Sequence, residues 1–352
     1  MPNSSASEAL ADQVRAAARE RRPLRIVGGD SKAFLGRPVG GETLSLREQA
    51  GVVDYDPAEL VVTARAGTPV LELQALLAGR GQMLGFEPPV FGQASTIGGV
   101  VAAGLSGPRR PFAGAVRDAV LGVGILDGRG RALRFGGVVF KNVAGFDAFR
   151  LMAGAFGRLG VILEVSLRVA PRPAAEVGLA LEVALEQARE VTGRLLRQAA
   201  PLSGACHDGA RLHLRLSGGR GAVAAAARQL GGEAEDLGFW TALRDLALPV
   251  FGGDGRLWRL GLPEGAATPD LPGGWVWDWA GAQRWLVSDA PAADVRAAAA
   301  SLGGHATLFR GQVEDGEAFS PLAGPVLALH KRLAAVFDPA GILNPGRLHA
   351  EL

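Results

Sequence analysis

Cysteine occurs once in the 352 residues, at Cys206, which excludes an intramolecular disulfide and any zinc or iron–sulfur site built from several thiolates of this chain. Lysine is confined to Lys32, Lys141 and Lys331, so nearly all positive charge is arginine, a residue suited to bidentate contacts with carboxylate and phosphate. Aromatic residues make up only 6% and there is no long basic run, so nucleic-acid binding is not expected. The start, MPNSSASEAL, has no basic stretch followed by an apolar core; no secretory signal is expected, and a reducing cytoplasmic setting fits the single thiol. The one long uncharged run, residues 88–108, carries three prolines and several glycines, whereas a spanning helix would be more apolar; no transmembrane segment is expected.

What is present is a globular composition, 48% hydrophobic and 20% charged, long enough for two domains and a large core. The 51 glycines show no collagen-like period and point to many turns. Residues 5–20 carry apolar positions at helical spacing, and Leu24 to Val27 reads as a short buried strand. The following Gly28-Gly29-Asp30-Ser31-Lys32 could cradle a diphosphate: successive N–H groups form a nest, Ser31 adds a hydroxyl and Lys32 a charge. It matches neither the Walker nor the Rossmann glycine pattern, and an ordinary strand-to-loop turn is the alternative reading. Strands are expected at 52–55 and 59–66, then a helix over 69–78 with Thr68 as its cap and Pro69 in its first turn.

The stretch from Ser95 to Phe135 organises the rest. It opens with Ser95-Thr96-Ile97-Gly98-Gly99 and runs through small residues, including Ala102 and Gly104, that allow backbone to approach a ligand closely. It then carries Arg109, Arg110 and Arg117 and closes in a hairpin around Gly128-Arg129-Gly130. Residues 148–155 read as helix. Gly157 and Gly160 read as a turn into a strand at 161–169, where Val161 and Ile162 could lie against a ligand's ring edge; plain loop geometry is the rival explanation. Pro171-Arg172-Pro173 marks the domain boundary. Beyond it, strands at 178–183, 202–207, 211–216, 258–263, 275–279, 284–288 and 305–310 alternate with helices at 184–198, 220–230 and 291–302. The pattern suggests an antiparallel sheet with helices on one face. A helix over 327–337 leads into the turn-rich DPAGILNPGRL.

Taken together, GGDSK at 28–32, STIGG at 95–99, GRLGVI at 157–162 and FDPAGILNPG at 337–346 resemble the FAD-binding flavoproteins of the vanillyl-alcohol oxidase type. The resemblance implies an α+β fold: a two-subdomain FAD-binding domain over 1–172 (about 1–85 and 86–172), an α/β cap with an antiparallel sheet over 173–325, and a segment 326–352 returning to the FAD domain. It assigns cofactor contact to the loop from Val27 to Lys32, to Ser95 through Gly99, Ala102, Gly104, Gly157, Gly160, Val161 and Ile162, and to Asn344. Over most of the chain, including GLSGPRRPFAGAVRDAVLG, FKNVAGFDAFRLMAGAFGRLGV, LWRL and GGHATLF, the sequence is similar to the smaller FAD-binding subunits of bacterial glycolate oxidases. That similarity implies oxidation of glycolate to glyoxylate within a complex holding a larger flavoprotein subunit and an iron–sulfur subunit, with electrons passed toward quinone. Partner subunits would then provide a peripheral route to the inner membrane. The alternative is an electron-relay or redox-silent flavin subunit whose larger partner does the chemistry.

Two departures matter. Relatives that tether FAD often use a histidine in the first glycine loop, whereas Asp30 and Ser31 stand there, so FAD is expected to be noncovalent. Hydroxy-acid oxidising relatives resemble one another in a metal-binding H-x-G-D-G-N-x-H segment; here the nearest stretch, His207 to His213, is one residue shorter and lacks the Asn, so no metal site is expected. For the substrate, Arg109, Arg110, Lys141 and Arg259 are candidates to grip a carboxylate, and His305 to accept the hydroxyl proton. The arginine pair could instead meet FAD phosphates or a partner's acids, and His305 could be a loop histidine. Trp275, Trp277, Trp279 and Trp285 read as cap core or interface.

Overall fold

A computed structural model of the chain describes residues 4–138, 146–313 and 315–352. The chain forms two compact units: Met1–Ser106 with Ala115–Arg172 and Pro321–Leu352, and Gly107–Gly114 with Pro173–Ser320. Residues 107–114, expected within the FAD domain, group with the second unit because their partners are there. Arg109 pairs with Glu176, Phe112 packs against the core cluster that contains Leu179, Leu202 and Leu214, and the Trp279 indole N–H donates to Gly107 O at 3.0 Å. Residues 321–325, expected in the cap, group with the first unit.

In the first unit, helix Ser4–Glu20 covers a parallel pair, Leu24–Val27 with Glu42–Ser45. A five-stranded antiparallel sheet runs in the order Val52–Asp56, Val61–Arg65, Val161–Arg168, Val120–Leu126, Ala132–Gly136. The expected division near residue 85 is therefore crossed: Val61–Arg65 is buried along nearly its whole length and needs a neighbour on each side, and Val161–Arg168 is one of them. Thr68 does not cap the next helix. Its hydroxyl donates to Arg65 O at 2.7 Å and accepts from Gly51 N–H, and Val70–Ala78 starts from Pro69. The expected helix at 148–155 shrinks to a 3-10 turn, Ala148–Met152, followed by Gly154 at φ 85° and Phe156 at φ 51°. The C-terminal segment is built in: Leu24 N–H donates to Ile342 O and Asn344 N–H to Leu24 O, extending the parallel pair.

The second unit is one eight-stranded antiparallel sheet. Its order is Glu233–Glu235, Ala175–Glu182, Arg211–Gly218, Leu202–His207, Gly274–Asp278, Gln283–Val287, Leu257–Gly261, His305–Arg310. The two halves meet at a single pairing, His207 with Trp277. Helices Leu185–Arg197, Arg220–Leu230 and Ala292–Ser301 share the face that carries Leu214, Trp277, Leu286 and Trp258. The opposite face is covered over one half by a helix the sequence did not announce, Gly238–Arg244, whose Trp240 lies against Gly204 and Arg215. Over the other half, that face carries Arg259, Trp285 and Thr307.

Candidate functional site

The first unit contains a groove floored by two loops that only glycine allows to meet. A Cβ on Gly29 would stand 1.3 Å from Ala94 O, one on Gly28 2.4 Å from Thr96 Oγ1, and one on Gly98 2.5 Å from the Ala66 methyl. The loop after strand Leu24–Val27 thus seats on the segment before helix Ile97–Ala103 with no side chain between them. Thr96 caps that helix through its hydroxyl, which accepts from Gly99 N–H at 3.3 Å. Gly99 differs from its neighbours: it lines the groove, and a Cβ there would meet only Thr96 Oγ1, at 3.2 Å, leaving the rest of its surroundings open.

Of the residues expected to touch a cofactor, Val27, Gly28, Gly29, Asp30, Ser31, Lys32, Thr96, Gly98, Gly99, Ala102, Gly157, Gly160, Ile162 and Asn344 line this groove. The other four stand behind it. Ser95 is buried and accepts from Lys32 Nζ at 2.7 Å; Ile97 and Val161 are fully buried core; Gly104 is the left-handed cap of helix Ile97–Ala103, at φ 67° against Gly154. Asn344 lines the groove but its amide is committed: Oδ1 accepts from Ile26 N–H at 2.8 Å and Nδ2 donates to Phe156 O at 2.6 Å. It is a staple between the first strand and the glycine turn, and Gly157, at φ 77°, leaves room for it.

Sequence reasoning missed Arg25, Phe156 and Arg347 in the groove wall. Arg25 pairs with Asp30, and Arg347 donates to the carbonyls of Lys32, Ala33 and Arg37, bracing the first loop from the far end of the chain. Arg347 is held below its usual range by burial and by nearby Arg25. Lys32 is 9% exposed and burial lowers it to about 8. Among the described residues the groove is therefore lined by glycine-loop backbone, hydroxyl side chains and several cations against one carboxylate, Asp30, which is already paired. This donor set suits a dinucleotide's diphosphate, and the residues fit FAD.

Four of the five substrate candidates, Arg109, Arg110, Arg259 and His305, fall in the second unit and separate there. Arg109, 9% exposed, donates to Glu176 at 2.5 Å and joins Ser217, Ser203 and Arg215 in a polar cluster. Arg110, Arg259 and His305 come together instead. The Arg110 guanidinium lies 4.2 Å from the Trp279 ring centroid, and Arg259 is 5.6 Å from that of Phe309. The His305 ring lies against Gly261, where a Cβ would be 2.7 Å from Cε1. Burial, reinforced by Arg110, lowers Arg259 to about 10; burial, then Arg259 and Arg110, lower His305. Arg110, Arg259 and His305 thus form one patch in which each positive charge disfavours protonation of its neighbours. Lys141 lies outside the described residues.

His207 and His213 do not share a face. His207 is paired with Leu212 and His213 with Cys206, so the two imidazoles project to opposite sides of the sheet. His207 Nε2 lies 2.9 Å from Val183 O, and His213 sits between Asp208 and Glu235, stacked 3.9 Å from Phe239. No metal-binding cluster of His, Cys, Asp or Glu occurs among the described residues. The tryptophans are structural: Trp277 and Trp285 are buried, Trp275 donates to Leu271 O, and Trp279 ties down residues 107–110.

Comparison with known proteins agrees with the groove. A family profile described as an FAD binding domain matches residues 5–136. The chain is 49% identical over 346 residues, 98% of either sequence, to glycolate oxidase subunit GlcE of Escherichia coli K12. It is 30% identical over 134 residues to glycolate oxidase subunit GlcD of Bacillus subtilis, covering 38% of this chain and 28% of that one. It is 30% identical over 140 residues to a D-lactate dehydrogenase of Anaerostipes hadrus, covering 40% and 29%. A solved alkyldihydroxyacetonephosphate synthase superposes with a TM-score of 0.68 at 15% identity, over 97% of this chain and 76% of that one, a likeness of fold alone. The chain belongs to the GlcE family of glycolate oxidase subunits, FAD-linked oxidoreductases with the vanillyl-alcohol oxidase fold.

Proposed function

We propose that this chain is the smaller FAD-binding subunit of a glycolate oxidase complex, oxidising glycolate to glyoxylate and passing electrons to partner subunits. The near full-length identity to a named glycolate oxidase subunit carries this reading. Bound FAD would supply the acceptor for the two electrons released when the alcohol carbon becomes a carbonyl. The chain's residues divide the remaining work. The loop 27–32, residues 96–102 and the turn 157–162 hold the cofactor, with Asn344 and Arg347 fixing the loop. Among the described residues no His or Cys lines the groove, which supports noncovalent attachment. In the second unit Arg259, beside Arg110, is suited to grip a small carboxylate, and His305, whose protonation is disfavoured by burial and then by Arg259 and Arg110, to accept the hydroxyl proton. The lone Cys206 is fully buried and holds no cluster, so onward transfer falls to a larger flavoprotein and an iron–sulfur partner, and thence quinone. Among the described residues no helix is long and apolar enough to cross a membrane, and attachment to one would run through those partners.

A second reading, electron relay with the larger partner oxidising glycolate, is favoured by the opposed faces of His207 and His213. Anaerobic absorbance spectroscopy separates the two. Flavin of the isolated chain that bleaches on adding glycolate supports catalysis here. Bleaching only after the partner subunits are added supports relay, and no bleaching in the full mixture contradicts both.

A further inference from the structure

Among the described residues, Lys32 is the one charged side chain of the groove that bridges both of its loops. It follows Ser31 in the first loop, and its Nζ donates across to Ser95 Oγ at 2.7 Å, at the start of the second. A weaker bond reaches Ser31 Oγ at 3.3 Å, and the ring of Phe91 lies 5.9 Å away. Both hydrogen-bond partners are neutral. The other charged groups of the groove are Arg25, Asp30 and Arg347; Asp30 is taken by Arg25, and Arg347 is bound to the loop's carbonyls, including that of Lys32. Among the described residues no carboxylate stands within ion-pair distance of Lys32. A buried ammonium without a counter-ion is costly to keep, and it is retained where an anion completes it.

We propose that Lys32 is an electrostatic clasp for the cofactor's diphosphate: the anion supplies the missing counter-charge and, through the bridge from Lys32 to Ser95, locks the two glycine loops together, so that binding is coupled to protonation of this side chain. The proposal rests on the FAD reading of the groove.

The direction follows from linkage. Without an anion beside it, burial lowers Lys32 to about 8. A diphosphate alongside favours the ammonium and raises it again. Between the two values, binding takes up a proton, so affinity falls as pH rises, approaching tenfold per pH unit. Below about pH 7.5 Lys32 is already charged in both states and affinity is flat. Without FAD the depressed group favours unfolding, because the unfolded chain binds the proton more readily; that destabilisation is full below about pH 8 and fades as pH approaches the unfolded value of about 10.4.

The test is equilibrium titration of the flavin-free full chain with FAD, followed by flavin fluorescence from about pH 6.5 to 9.5, for wild type, Lys32→Arg and Lys32→Met. Wild type is expected to bind evenly up to about pH 7.5 and then lose affinity, roughly tenfold per unit. Lys32→Arg keeps its charge throughout and is expected to show no such fall. Lys32→Met is expected to bind about 10- to 100-fold more weakly at pH 7, with a flat profile, while its flavin-free form melts at a higher temperature than wild type. Ionisation of FAD itself would appear in all three proteins alike and so is subtracted by the comparison. A wild-type profile matching that of Lys32→Met, or undiminished affinity in Lys32→Met, overturns the clasp and leaves FAD binding standing. Failure of wild type to bind FAD at pH 7 overturns the FAD reading itself.

Discussion

The groove of the first unit and the cationic patch of the second are built by opposite means. In the groove, close backbone approach does the work: Gly28, Gly29 and Gly98 have no room for a methyl group, and the loops they let meet line it with backbone and hydroxyl side chains. In the patch, side chains do it: Arg110 and Arg259 are set against Trp279 and Phe309, and His305 against Gly261. Glycine loops make a site whose shape depends on packing behind it, so substitutions there should cost fold and cofactor together. An arginine patch on a finished sheet should lose its ligand and keep its fold. The two units are thereby separable by mutation.

The largest effect is expected at Gly29. Alanine there would press against Ala94 O and prevent the loops from seating, costing more than about 3 kcal/mol and abolishing FAD retention; thermal unfolding and flavin content should fall together. Gly99→Val sharpens the contrast inside the groove. Its Cβ would meet only Thr96 Oγ1, at 3.2 Å, which must give slightly, so flavin content should drop at least about 100-fold while the flavin-free protein melts within a few degrees of wild type. Arg259→Gln should do the converse: full flavin content, with a loss of about 10- to 100-fold in kcat/KM for glycolate in the assembled complex. Normal kcat/KM in that variant would remove Arg259 from the substrate site.

The smallest effect concerns neither site. His213 is buried, which opposes its charge, but the Asp208 and Glu235 carboxylates outweigh burial and raise it above its usual range. Its contribution to stability is therefore present below about pH 6.5 and lost as pH rises through the raised value. Glu235→Gln should destabilise by about 1 kcal/mol near pH 6 and by less near pH 9, as read by urea unfolding. A larger loss at the alkaline end would contradict the pairing.

Much of this was legible in the chain. Alternating apolar residues and hairpin glycines locate the strands of the second unit, because the helix-covered face of its antiparallel sheet is apolar from strand to strand and repeats every second residue. The groove's glycine loops stand out because close approach admits few residue types. What escaped depends on distant partners. Arg347 is 315 positions from the carbonyl of Lys32 that it braces, and nothing local marks it. Thr68 reads as a helix cap until its hydroxyl is seen spent on Arg65 and Gly51. Arg109 and Arg110 are adjacent and alike in sequence, yet Glu176 claims the first and Trp279 backs the second. His207 and His213 look like a ligand pair until the hairpin register turns them to opposite faces.

The central claim is that the groove of this chain holds FAD without a covalent bond. Acid precipitation of the purified chain, with flavin measured separately in pellet and supernatant, tests it most directly. The expected result is close to one FAD per chain, all of it in the supernatant, and loss of that flavin in Gly99→Val. Flavin retained in the pellet would contradict noncovalent binding, and a colourless wild-type protein that takes up no added FAD would contradict the claim as a whole.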